Sequence, residues 1–341
     1  MQTKFQRWLL VIIITSLGIY DGSTLVIAAG DLLYNPYSQQ TNSLPVKKRA
    51  QSRSVIKQAG SATVVPAFNP EMQSKAKSKG IISSPEYGDV PTSKPVPKAI
   101  IGVEDRYEVD VRGFPFSAVG RITYDIPVGF GTCTGSLVGP RVVLTNGHCV
   151  WDNKKEQFHQ NLKFAPAHRG DRAPYGEHRV SRVVVSQKYL EGQHGYDYAF
   201  LVLAQPVGRQ AGWLGVTGYN PRWNNGRYWY VAGYGTNYEG HPFDSRYQTA
   251  NQYPCQIHTQ LFGRAAHGHD CDTGQGNSGS PLFGYWHRVP YVIGVNYAGW
   301  GPRNEERMEN CPEPEVGRCM NIAARSEVFL PTLQWLLKNY P

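Results

Sequence analysis

The chain has 341 residues, 40% hydrophobic, 12% aromatic and 18% charged, enough apolar material for a sizeable core and too little charge for a mainly disordered protein. The net charge of +9 sits mostly in one segment: residues 30–98 hold ten basic residues against four acids, whereas residues 99–341 hold 23 against 21. A basic, nucleic-acid-binding globular domain is therefore not indicated, and no stretch reaches the roughly 20 apolar residues of a stable membrane span.

Lys4 and Arg7 precede an apolar run from Trp8 to Tyr20, and small residues follow at Ala28 and Ala29. This pattern predicts an export signal over residues 1–29, and Asp21 cuts the apolar run too short for an anchor. Residues 30–98 are rich in Ser, Pro, Gln and Lys, without a period of 2 or 3.6. Such a sequence reads as a largely disordered linker, tether or pro-segment, because it buries too little apolar surface to offset its ordering entropy. A basic tail of this kind also suits an electrostatic tether to an anionic surface.

From Ala99 the texture changes. Short β-branched and aromatic runs appear at Arg121–Tyr124, Arg141–Leu144, Arg182–Val185, Ala199–Leu203, Tyr228–Val231 and Tyr291–Val295, separated by Gly, Pro and Asn. Many short strands with turn signals between them predict antiparallel barrels or a sandwich. Phe329, Leu330, Leu333, Leu336 and Leu337 fall at helical spacing within Ser326–Tyr340, which predicts one C-terminal helix. The six cysteines Cys133, Cys149, Cys255, Cys271, Cys311 and Cys319 all follow the tail. An even number behind an export signal implies disulfides, and neighbouring pairs are preferred because each closes a short loop. A zinc site is disfavoured by the lack of a Cys-x-x-Cys pair.

Three motifs carry chemistry. Gly274-Gln275-Gly276-Asn277-Ser278-Gly279-Ser280-Pro281 surrounds a serine with glycines, so that the backbone turns sharply and consecutive N–H groups converge, as a developing oxyanion requires. Leu144-Thr145-Asn146-Gly147-His148-Cys149-Val150 ends an apolar strand on a histidine beside a cysteine. Tyr196-Asp197-Tyr198 opens the run Ala199–Leu203 with a carboxylate, in a better setting than the rival acids Asp152 and Asp171. A serine hydroxyl becomes a nucleophile when a neutral imidazole takes its proton and a buried carboxylate fixes the imidazole's tautomer. The order His148, Asp197, Ser278 is that of chymotrypsin, and differs from the α/β-hydrolase and subtilisin orders.

On these motifs, and on the start Ala99-Ile100-Ile101-Gly102, residues 99–341 resemble the trypsin-like serine proteases, especially the bacterial glutamyl endopeptidases. The resemblance implies an all-β chymotrypsin-type fold of two six-stranded antiparallel barrels with a C-terminal helix. It implies His148 as general base, Asp197 as its orienter, Ser278 as nucleophile, and the N–H groups of Gly276 and Ser278 as oxyanion hole. It also implies a zymogen, cut after Lys98 by an activating protease to expose Ala99. Asn277 stands where animal trypsins carry the aspartate that ion-pairs with the new terminus, so activation is not expected to use that switch.

Substrate preference stays open. Thr273 matches the threonine or serine that holds a substrate carboxylate in glutamyl endopeptidases, but Asn296 falls where those enzymes carry a histidine. Asp272 occupies the place of the acid that binds Lys or Arg in trypsin. Both acidic and basic substrate residues remain in play, with Val295–Tyr297 expected to pair with the substrate backbone. His267-Gly268-His269-Asp270 reads as a solvated loop rather than a metal site, since no third ligand is identifiable. The function expected is a secreted, extracellular or periplasmic serine endopeptidase acting on polypeptides, without a cofactor, metal or nucleic-acid partner. A catalytically silent binding protein of the same fold is the alternative, disfavoured because no triad member is missing.

Overall fold

The computed structural model describes residues 31–36, 38–44, 64–71, 74–75, 105–236, 244–300 and 320–341. The expected export signal, the stretch Ala99–Gly102 and the pair Cys311 and Cys319 lie outside the described residues.

An N-terminal hairpin, β1 (Leu32–Asn35) and β2 (Gln40–Ser43), precedes two groups of six strands. The first comprises β3 (Val119–Asp125), β4 (Phe130–Leu137), β5 (Val142–Thr145), β6 (Lys163–Pro166), β7 (His178–Val185) and β8 (Ala199–Leu203). Their antiparallel pairings run β3-β4-β5-β8-β7-β6 and return to β3, closing a barrel. The second comprises β9 (Arg227–Gly233), β10 (Cys255–Leu261), β11 (Ala266–His269), β12 (Pro281–Trp286), β13 (Val289–Trp300) and β14 (Met320–Arg325). Its pairings run β9-β10-β11-β14-β13-β12 and also return to the start. Closure leaves few exposed strand edges, which is how small antiparallel sheets avoid pairing with other chains.

Five of the six runs expected to be strands fall within them, and the sixth, Arg141–Leu144, starts one residue ahead of β5. In β5 and β8 every residue is buried, on both faces. One face fills the barrel. The other is covered by the helix Ser326–Asn339, whose Phe329 packs against Tyr198 and Phe200 at ring-centroid distances of 5.6 and 6.0 Å. Among the described residues no helix is long and apolar enough to cross a membrane.

Two stretches depart from the expectation that residues 30–98 lack packed structure. β1 pairs with β7 in the register Leu32↔Val185, Leu33↔Val184 and Tyr34↔Val183. Further on, Val65 bridges to Val216 and Phe68 to Trp213. Neither stretch is long enough for hydrophobic periodicity to register, and each owes its conformation to a partner strand fixed elsewhere. Asp31, at the head of β1, is buried, and burial pushes its carboxyl up to about 6 against the opposing hydrogen bonds from Thr332 and Tyr198.

Candidate active site

The register of the first barrel explains how two distant motifs meet. Thr145, the last residue of β5, pairs with Ala199, the first of β8. Beyond that rung the chain leaving β5 and the chain entering β8 run side by side, bringing His148 to Asp197. The Nδ1 of His148 lies 2.7 Å from Asp197 Oδ2, and the His148 backbone N–H donates to Asp197 Oδ1 at 3.1 Å. Asn146 adds a brace by donating from Nδ2 to the Asp197 carbonyl at 2.8 Å. The Asp197 side chain is 7% exposed, whereas a third of the His148 side chain (32%) reaches solvent. Because a carboxylate only accepts, Nδ1 carries the proton and Nε2 is left as the basic nitrogen. Burial lowers the His148 pKa, but the charge and hydrogen bond of Asp197 outweigh it and hold the imidazole above its ordinary 6.5.

The disulfide Cys133–Cys149 joins the residue after His148 to β4, and Cys255–Cys271 joins β10 to the segment before Asp272. Both are the neighbouring pairs expected from spacing. Each closes a loop of the length worth roughly 3 kcal/mol in the chain-entropy model.

The serine turn is clamped onto the same end of the first barrel. Thr134 of β4 donates its N–H to the Ser278 carbonyl at 2.7 Å and its hydroxyl to the Gly276 carbonyl at 2.8 Å. The same hydroxyl accepts the Tyr234 N–H from the end of β9, also at 2.8 Å. The Thr134 carbonyl in turn accepts the Thr145 hydroxyl at 2.8 Å. Gly279, with φ of +87°, lies so close to Thr134 and Thr145 that a Cβ there would overlap both. One cluster of hydroxyl and backbone groups thus locks the Ser278 turn to the strand that leads to His148. Replacing Thr134 by valine keeps the volume but leaves the Gly276 carbonyl and Tyr234 N–H without their partner. Chemical denaturation should show a loss of about 3 kcal/mol, from two buried polar groups deprived of a bond.

Asn277 is 1% exposed and turned inward. Its Oδ1 accepts the Gly274 N–H at 3.0 Å and its Nδ2 donates to the Ser280 hydroxyl at 3.2 Å. The turn is therefore shaped by its own amide. On its other flank, the Gln275 carbonyl accepts both the N–H and the hydroxyl of Thr236, at 2.5 and 2.9 Å. In a trans peptide the N–H points opposite to the carbonyl, so the Gly276 N–H is aimed away from Thr236.

The residues expected to choose the substrate are placed less simply. Thr273 and Asp272 are both buried, and Asp272 Oδ2 accepts the Asp105 N–H at 3.1 Å. The Asn296 side chain is engaged at both ends: Oδ1 accepts from His269 Nε2 at 3.2 Å, and Nδ2 donates to the Asn277 carbonyl at 3.2 Å. It braces the serine turn. His267 and His269 are a correction to the sequence reading: they lie fully buried in β11, not in a solvated loop. Burial holds both imidazoles below their ordinary value, His269 at about 4. Among the described residues, the two groups that bring a histidine together with two cysteines, around His148 and His269, have their sulfurs joined in disulfides. The thiolates a zinc site needs are thereby removed.

Beside the His148–Asp197 pair lies a cavity of about 310 Å³, lined by Asn153, Tyr189, Leu190, His194, Asp197 and Tyr297. Among its walls, only Asp197 and Tyr297 belong to motifs singled out from sequence. Thr134 and Thr236 carry no sequence signal, since their roles depend on pairings with residues far along the chain.

Two closed antiparallel barrels, with a His–Asp pair where β5 and β8 end and a glycine-flanked serine turn fastened beside it, define an architecture of chymotrypsin type. The family model described as Trypsin matches residues 105–312, and the chain belongs to the trypsin family of serine proteases. It is 29% identical over 187 residues to a glutamyl endopeptidase of Bacillus licheniformis, covering 54% of this chain and 55% of that one. An extracellular metalloprotease of Bacillus subtilis is 30% identical over 123 residues, covering 35% and 39%. The chain thus spans about half the length or less of these relatives. A solved Glu endopeptidase in complex with MPD superposes with a TM-score of 0.55 at 20% identity, covering 70% of this chain and 99% of its own, a likeness of fold.

Proposed function

We propose that the chain is a secreted serine endopeptidase that hydrolyses peptide bonds through an acyl-enzyme and is made as a zymogen cut near Lys98. The observation that carries this reading is the 2.7 Å contact between His148 Nδ1 and Asp197 Oδ2, which leaves Nε2 as a base beside the clamped Ser278 turn. Nε2 takes the Ser278 hydroxyl proton as the oxygen attacks the carbonyl, and returns it to the leaving amine. Water then repeats the sequence to release the acid. The backbone N–H groups of Gly276 and Ser278 receive the oxyanion, a role favoured by the Thr236 bonds that turn the Gly276 N–H outward.

Zymogen processing is supported by the anchoring of Asp105 at Asp272. A terminus created at Ala99 stands six residues from Asp105, so chain length keeps it within about 20 Å of that anchor. Since Asn277 shapes the turn from its own amide, the cut need not supply an ion pair there. For the substrate, the name of the Bacillus licheniformis relative and the hydroxyl of Thr273 favour an acidic residue. The commitment of one Asp272 oxygen to the Asp105 N–H weighs against the trypsin-like alternative.

The test is a fluorophosphonate probe applied to chain cut after Lys98, followed by digestion of a mixed peptide library. The hydroxyl of Ser278 should attack phosphorus, displace fluoride and leave an adduct on the peptide holding Ser278. Library cleavage should cluster after Glu and Asp. Folded, cut protein that takes up no label and cleaves no peptide would refute the reading.

A further inference from the structure

We propose that the segment N-terminal to the cut stays bound to the two-barrel domain afterwards, as a non-covalently held light chain. This builds on the processing reading above, although its physical basis does not depend on it.

The observations concern what the barrels lack without that segment. β7 pairs with β6 only through His178 and Arg179, at its start. Its other half, Val183–Val185, is fully buried and takes β1 as neighbour on one side and β8 on the other. Departure of β1 would bare three β-branched residues and a row of unpaired backbone groups, an edge that invites aggregation. Asp31 reaches further in, where its carboxylate accepts the Tyr198 hydroxyl at 3.0 and 3.1 Å and the Thr332 hydroxyl at 2.5 Å. One donor belongs to the first barrel and the other to the C-terminal helix, and all three residues are buried. Tyr34 stacks on Phe158 with ring centroids 3.9 Å apart.

The second stretch grips the connection between the barrels. Val65 and Val216 exchange both backbone hydrogen bonds, at 2.8 and 2.9 Å, as do Phe68 and Trp213, at 2.9 and 3.0 Å. The Trp213 indole donates to the Pro66 carbonyl at 3.0 Å, and its ring stacks on Phe68. The connection is shaped to receive this strap: a Cβ on Gly212 would lie 2.8 Å from the Phe68 carbonyl oxygen, and one on Gly215 would lie 2.9 Å from that of Val65. These contacts fall on β7, Phe158, Tyr198, the helix and the connection, rather than on His148 or Ser278. Retention is therefore compatible with an open cleft, and the segment acts as scaffold rather than plug.

The experiment uses the full chain with Ser278→Ala and a recognition site for an added, sequence-specific protease inserted between residues 92 and 98. It reads retention whether or not the chain is itself a protease or is naturally cut there. After complete cutting, both fragments should co-elute on gel filtration in native buffer and part only in concentrated guanidinium. The cut complex should melt close to the uncut chain. Separation in native buffer, with the larger fragment keeping the uncut melting temperature, would overturn the proposal. A second chain carrying Tyr34→Ala and Phe68→Ala should release its small fragment about a hundred-fold more readily, the effect of losing two packed rings. Unchanged retention in that chain would overturn the assignment to these contacts.

Discussion

Substituting Ser278 with alanine is expected to lower kcat by about 10⁶-fold, leaving only the residual catalysis of binding and the oxyanion donors. The size follows from the proposed chemistry: without the hydroxyl no acyl-enzyme would form, and His148 would have no proton to take. The fold should be spared. The contact fixing this residue is made by its backbone carbonyl, which accepts the Thr134 N–H at 2.7 Å, and alanine keeps that carbonyl. Melting temperature should therefore stay close to wild type, whereas Thr134→Val should lower it. His148→Ala should cost about as much as Ser278→Ala, and the double variant little more than either, because residues acting as one unit are not additive. Steady-state kinetics on one fluorogenic peptide measures all three. Variant costs that multiply, or Ser278→Ala activity above about 1% of wild type, would dismantle the assigned roles.

The fold was legible where the local signal is dense. Ala199–Leu203 and Arg182–Val185 read as strands because five and three consecutive β-branched or apolar residues have few other uses in so short a run. The His148, Asp197 and Ser278 motifs stand out in the sequence because the chemistry expected of them demands rare neighbours at each position. What escaped depended on partners distant in sequence. Thr134 looks like any strand threonine until its hydroxyl is seen between Gly276 and Tyr234, 142 and 100 residues away. His267 and His269 read as polar loop residues, yet they lie in β11, a strand paired with both β10 and β14, and both imidazoles are buried. The place of Asn296 in the family points to the substrate, whereas its contacts at 3.2 Å to His269 and to the Asn277 carbonyl depend on residues that the local sequence does not announce. Leu32–Asn35 is four residues long, and its conformation is supplied by the free half of β7.

Asp197→Asn should reduce kcat/KM by about 10⁴-fold, and it should also move the pH profile in a direction fixed by the electrostatics of the pair. In the wild type, the Asp197 carboxylate serves two donors at once, His148 Nδ1–H and the His148 backbone N–H, at 2.7 and 3.1 Å. A carboxamide has one accepting oxygen and one donating nitrogen. If the oxygen faces Nδ1, the amide NH2 confronts the backbone N–H. If it faces the backbone, the amide NH2 confronts Nδ1, which must give up its proton, and Nε2 then carries it and is no longer a base. The first arrangement sets two donors against each other and displaces the loop that carries His148, and the second disables the imidazole. The pH limb follows separately. The base works when neutral, so activity rises as pH climbs through the His148 pKa, and with Asp197 present that value lies above 6.5 because the carboxylate outweighs burial. Removing the charge leaves burial in control, so the residual activity of the variant should reach half its maximum below pH 6.5. Profiles of kcat/KM between about pH 5 and pH 9 will show the two limbs on opposite sides of the unperturbed imidazole value. A limb that stays put while the rate falls would mean that Asp197 only holds the ring in place and contributes nothing through its charge.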